Sequence, residues 1–150
     1  MTATISAHIL IHGVVEVITQ TGRYAIRILG HLAEHPGEML SGTEIAAATG
    51  IPANYLVKIL NQLRKRGFVE SQKGWGGGFA LRPETLGVSI ADVIELFEGP
   101  EDHTGCVFEL KECDEEHPCP LHQHWEKVRS SYRVMLSSVK IGHLAKAAST

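Results

Sequence analysis

All three cysteines of the 150-residue chain fall within residues 106–119, in the order C-x6-C-x5-C, and His122 follows three residues after the last. Thiolate and imidazole are the ligands that zinc and iron–sulfur clusters take. Gly105, Pro118 and Pro120 disfavour regular structure around Cys106, Cys113 and Cys119, and let the ligands converge from a loop. Scattered buried thiols are the ordinary alternative, but random placement rarely confines every cysteine to so short a window. Metal or cluster ligation is the chemistry to expect here. A nucleophile–base pair of Cys119 with His122 or His124 is the competing chemistry. No oxyanion-hole or substrate-pocket signal accompanies that pair, so the chain is not expected to be an enzyme.

Charge divides the chain more than its net value of −3 suggests. Residues 53–82 carry Lys58, Arg64, Lys65, Arg66, Lys73 and Arg82 against Glu70 alone. Residues 101–116 carry seven carboxylates against Lys111. A basic segment followed by an acidic, ligand-bearing loop suggests one part facing a polyanion and another facing a cation. Three cysteines cannot make a disulfide framework, and their clustering argues for a reducing compartment. No apolar run approaches the roughly 20 residues of a membrane span. The apolar start is interrupted by His8, His12 and Glu16, and no Lys or Arg precedes Arg23, unlike a signal peptide. The expectation is a cytoplasmic protein with no membrane partner.

These ligands and charges need elements to position them, and the apolar pattern supplies a helical frame. Residues 1–15 read as an N-terminal extension, in which His8 and His12 would share a helix face. A first helix is predicted from about Thr21 towards Pro36, with Tyr24, Ile28, Leu29 and Leu32 as its buried stripe. Ser41 and Glu44 form a capping box that opens a short helix ending at Gly50. A third helix is predicted over 53–66, with Leu56, Ile59, Leu60 and Leu63 inside and Asn54, Tyr55, Lys58, Asn61, Gln62 and Lys65 outside.

Two helices joined by so short a turn, the second presenting polar and basic side chains, is the helix-turn-helix pattern. The runs FVESQK and FALR can pair as a hairpin through Gly74-Trp75-Gly76-Gly77-Gly78, which makes a wing. Its glycines would let the backbone approach a sugar–phosphate strand, with Lys73 and Trp75 reaching a groove or phosphates. A nucleotide-phosphate loop fits poorly, since no Lys-Ser/Thr follows the glycines and they open a strand. The predicted partner is double-stranded DNA. Lys58, Arg64, Lys65 and Lys73 would contact phosphates, while Asn54, Tyr55 and Asn61 would govern sequence choice.

Ser89 and Asp92 form a second capping box, opening a helix that buries Ile90, Val93, Ile94 and Phe97 and stops at Gly99-Pro100. Beyond the cysteine loop, a long helix is predicted from His122 to about Val139. Its stripe of Trp125, Val128, Tyr132, Met135, Leu136 and Val139 is too heavy for one domain to cover. A second copy of the chain is the expected cover, and a twofold dimer suits a palindromic operator. The predicted architecture is mainly α with a small β-hairpin. It comprises the extension (1–15), a winged helix-turn-helix domain (16–99), a ligand loop (100–121), and a dimerisation helix with its tail (122–150).

Residues 16–146 resemble the winged-helix regulators of the IscR/NsrR/RirA type. The resemblance rests on ITQTGRYAIRILGHLA, IPANYLVKILNQLRKRGFVES, GWGGGFAL, the cysteine trio, CPLHQHW and the closing KIGHLA. It implies a homodimeric transcription factor whose iron–sulfur cluster controls DNA binding. His122 falls where the IscR-like branch has its histidine ligand to a [2Fe–2S] cluster. Where another branch has a carboxylate in its first helix, this chain has Arg23, which cannot ligate. The implied set is Cys106, Cys113, Cys119 and His122, with [4Fe–4S] or zinc as alternative occupants. The chain departs from the family in its first cysteine gap, six residues rather than five, and His117, His124, Glu116, His8 and His12 are alternative ligands.

Overall fold

The computed structural model describes residues 18–99 and 115–147. The extension with His8 and His12, and the ligands Cys106 and Cys113, lie outside the described residues.

Helix α1 (Gln20–Ala33) is the hub, packing against four other helices and one strand. Thr19 caps it, its hydroxyl accepting from the Gly22 amide, and Ala25, Ile28, Leu29 and Leu32 are buried. Each large apolar side chain so buried is worth about 1.5–3 kcal/mol. The helix stops at Ala33, and a turn over residues 34–38 leads to Leu40. Helix α2 (Gly42–Thr49) opens with the capping box expected from Ser41 and Glu44 and closes at Gly50 in the left-handed region. Helix α3 (Ala53–Lys65) buries Leu56, Ile59, Leu60 and Leu63 against α1 and α2.

Strand β1 (Val69–Gln72) pairs antiparallel with β2 (Gly78–Leu81), in the register Val69 to Leu81 through Gln72 to Gly78. Leu40 adds a single-residue bridge on the other side of β2, exchanging amide–carbonyl bonds of 2.9 and 2.7 Å with Phe79. A Cβ on Gly78 would stand 2.2 Å from the Leu40 carbonyl oxygen, and one on Gly77 2.2 Å from that of Gln72. The hairpin's own packing therefore requires glycine at both positions, independently of any approach to a sugar–phosphate strand.

A 3-10 turn (Pro83–Gly87) leads to α4 (Ile90–Glu98), which carries the capping box of Ser89 and Asp92. The long helix α5 (His122–Ser138) packs along α4, and a short α6 (Ile141–Ala147) returns to α1, where Leu144 lies against Gly30. The junction between α5 and α6 is tied to the start of α4. The Ile90 amide donates to the Val139 carbonyl, and the Ile141 amide to the Val88 carbonyl, both at 2.9 Å. Helix α6 has no counterpart in the sequence reading, which took residues after 139 as a tail.

Candidate nucleic-acid interface and cysteine loop

On α3, one residue per 100° puts Leu56, Ile59, Leu60 and Leu63 on one side and Asn54, Lys58, Asn61 and Lys65 directly opposite. All four of the latter are exposed. Tyr55 and Gln62 flank them on one side, Arg64 and Val57 on the other, and these are exposed too. Tyr55 is steadied by α1: its ring meets Tyr24 edge-on at 6.4 Å, and Gln20 Nε2 donates to the Tyr24 hydroxyl at 3.0 Å. Pro52 stands at the cap position and supplies no side-chain acceptor. Backbone amides at a helix N-terminus are groups that phosphate oxygens bind.

Arg27 of α1 donates to the Thr49 carbonyl and so ties α1 to the end of α2. Lys73 and Trp75 project from the wing, and the Trp75 indole is fully exposed. The candidate interface is thus one helix face plus a wing tip, both carrying donors and exposed apolar surface. Val57 and Gln62 are also exposed on this side of α3, and neither is among the contacts expected from the sequence. The signal for Val57 was an apolar side chain on an otherwise polar face.

Cys119 and His122 are both half-buried at the head of α5. The His122 amide donates to the Cys119 carbonyl at 3.0 Å, so the two residues are joined by one tight turn. His122 also lines an open groove of about 550 Å³ with Glu115, Pro118, Glu126 and Lys127. A soft thiolate and an imidazole one turn apart fit half of the donor set that a zinc ion or an iron–sulfur cluster needs.

Along α5, the predicted apolar stripe splits. Leu136 is buried, and Tyr132 and Val139 pack on the core. Trp125 is half-buried, whereas Val128 and Met135 are 56% and 50% exposed and Val134 is 65% exposed. Glu126 pairs with Arg129 at 2.6 Å and with Arg133 at 3.2 Å. At the end of α4, the Glu98 carboxylate accepts from the Thr19 amide at 2.8 Å and its hydroxyl at 2.7 Å. This latch sits over Gly22, where a Cβ would stand 2.7 Å from the carboxylate oxygen.

Residues 18–147 match the Rrf2 family, described as iron-dependent transcriptional regulators. The chain belongs to this family. A helix-turn-helix transcriptional regulator of Aquifex aeolicus is 34% identical over 130 residues, 85% of this chain and 90% of that one. Among solved structures, CymR, the global cysteine regulator of B. subtilis, is similar with a TM-score of 0.72 and 27% identity, covering 87% of this chain and 96% of that one. IscR of T. potens is similar with a TM-score of 0.68 and 29% identity over 87% of each chain. The winged helix-turn-helix of this Rrf2 protein is therefore a transcriptional regulator's DNA-binding fold. Among its described residues, no helix is long and apolar enough to cross a membrane.

Proposed function

We propose that the chain is a homodimeric regulator whose operator binding is controlled by an iron–sulfur centre held by Cys106, Cys113, Cys119 and His122. The observation that carries this reading is the turn joining Cys119 to His122 at the head of α5, the helix whose apolar side chains are half covered by their own domain. Likeness to an IscR supports the cluster, and a [2Fe–2S] centre is the form proposed. Such a centre would supply a cross-link that is sensitive to oxidant, nitric oxide or iron supply. An imidazole in place of a thiolate makes the site less negative and raises its potential.

The functional division proposed is an extension at 1–15, a DNA-binding unit at 16–99, a ligand loop at 100–121, and a dimerisation segment at 122–150. DNA contact falls to α3 and the wing, with Lys58, Arg64, Lys65 and Lys73 on phosphates and Asn54, Tyr55 and Asn61 at base edges. Val57 has the exposed methyls that suit a thymine methyl, and Trp75 the flat face that suits a sugar or base. Met135 and Val128 would meet a second subunit, which a twofold operator requires. When the loop is cross-linked, Cys119 and His122 hold the head of α5. When it is released, α5 is free to change the spacing of two recognition helices, and DNA binds only one spacing well.

Anaerobic preparation, followed by iron and acid-labile sulfide assays and electron paramagnetic resonance of the reduced protein, tests the centre. The expected result is two irons and two sulfides per chain, lost in Cys119→Ala and shifted to lower potential in His122→Cys. Zinc without sulfide would reject it. A cluster-free regulator is the second reading, favoured by the likeness, at a TM-score of 0.72, to CymR, the global cysteine regulator of B. subtilis. A chain without iron, sulfide or zinc that still binds its operator would select that reading.

A further inference from the structure

A second group of metal-ligand side chains lies among the described residues, at the C-terminal end of α1. His31, Glu34 and His35 each offer a ligand atom, and these atoms lie within 4.8 Å of one another. Glu34 keeps helical φ and ψ just past the end of the helix at Ala33, so the first residues of the following turn still lie over His31. The two imidazole rings are 4.9 Å apart between centroids and inclined at 63°. His31 Nδ1 is 3.9 Å from the Glu34 carboxylate, and His35 Nδ1 is 3.5 Å from that of Glu38. The backbone beneath them is fixed, with the Glu34 amide bonded to the Gly30 and His31 carbonyls, His35 to Leu32, and Glu38 to His35. Arg27, one turn before His31, has its guanidinium on the Thr49 carbonyl at the end of α2.

We propose that His31, Glu34 and His35, completed by Glu38, form a binding site for a divalent cation of the zinc class. Two imidazoles with carboxylates are the donor set of borderline cations, where zinc–nitrogen bonds run to about 2.0–2.1 Å. His31 at 19% and Glu34 at 32% side-chain exposure are partly shielded, whereas His35 at 37% and Glu38 at 63% stand open to solvent, so an ion reaches the group from outside. A tetrahedral ion draws its ligands to roughly 3.3 Å from one another. Rotation about the side-chain bonds would have to close that gap. The negative end of the helix dipole adds a favourable field for a cation.

Binding would also pin residues 34–38, the turn that delivers Leu40 to the wing strand, and so brace the hairpin against α1. The site draws on no residue of the cysteine loop and stands whether or not that loop holds a cluster. The end of α4 meets α1 at Thr19, roughly 18 Å along α1 from His31.

Cobalt(II), a coloured substitute for zinc, separates the two sets of ligands in the full-length protein. Nitrogen and oxygen ligands give weak visible d–d bands, whereas thiolates add sulfur-to-cobalt charge transfer in the near ultraviolet. The expected result is one equivalent of cobalt with d–d bands that persist in Cys119→Ala, are displaced by zinc, and vanish in the His31→Ala/His35→Ala double variant. Cobalt affinity should fall there by more than the roughly 10- to 100-fold that losing even an outer-shell partner costs. Circular dichroism of the metal-free variant checks its fold. If the double variant does not fold, His35→Gln, whose position lies beyond the helix end, takes its place. Zinc should raise the melting temperature of the native chain and not that of the variant. Equal cobalt affinity in native and variant, or bands that disappear only with Cys119→Ala, would overturn the proposal.

Discussion

Two glycines, one in the turn after α1 and one in the wing, separate two physical causes that sequence alone merges. Gly37 has a φ of +77° and nothing within 4 Å of an added Cβ, so it answers only to backbone conformation. Gly78 has a φ of +147°, and its added Cβ would also strike the Leu40 carbonyl. Gly37→Ala should cost about 1–2 kcal/mol, the usual penalty of the left-handed region. Gly78→Ala should cost more, because the Leu40 bridge must open as well. Urea unfolding of both variants measures the difference, and equal losses would show that the bridge contributes nothing. On α3, Lys58→Ala and Lys65→Ala should each lower the slope of log affinity against log salt by about one per site, or about two in a symmetric dimer. Slopes identical to that of the native protein would remove this face from the phosphate backbone.

Helix α5 carries two kinds of apolar residue that look alike in sequence and differ in burial. Leu136 is 7% exposed, and its truncation to Ala should cost ~2–5 kcal/mol of stability. Met135 is half exposed, so Met135→Lys should leave the melting curve of the subunit intact while shifting sedimentation towards monomer. A dimer as tight in Met135→Lys as in the native chain would move the interface elsewhere.

Helix α2 yields a pH test. The Ser41 amide, then the Ser41 hydroxyl, hold the Glu44 carboxyl below its ordinary pKa. A carboxylate lowered on folding stabilises the native state above its unfolded pKa. That contribution is lost as pH falls through the lowered value. Glu44→Gln should therefore melt lower than the native protein at neutral pH, and the gap should close in acid. A gap independent of pH would mean the charge plays no part.

Both capping boxes were legible in the sequence because Ser-x-x-Glu and Ser-x-x-Asp encode their own hydrogen bonds locally. The faces of α3 were legible because leucine and isoleucine recur with the helical period. The break between α5 and α6 was not. Neither Gly nor Pro stands at residues 138–140, and the chain opens there to exchange amide bonds with residues 88–90, a tertiary demand no local pattern carries. Splitting the α5 stripe into inward and outward halves likewise needed the position of α4.

For the molecule as a whole, the decisive measurement links the loop to the operator. Removing iron and sulfide by chelation and oxidation should change operator affinity in the native protein and leave the Cys119→Ala protein unaffected. A native protein whose affinity is the same with and without the centre would separate any cluster from DNA control.

The amide bonds that bind Val139 and Ile141 to residues 88 and 90 give α5 one fixed end, a pivot beside Leu136. His122 stands fourteen residues before Leu136, a lever arm of roughly 21 Å. One ångström of travel at His122 is then a swing of about 3° at the pivot. In a dimer joined through α5, with half-sites about 34 Å apart, that angle displaces a recognition helix by about 2 Å. Hydrogen bonds to base edges do not survive such an offset. The mechanical gain lies in the length of the helix, so a displacement no larger than a bond at its head is enough to misalign the reader and the groove.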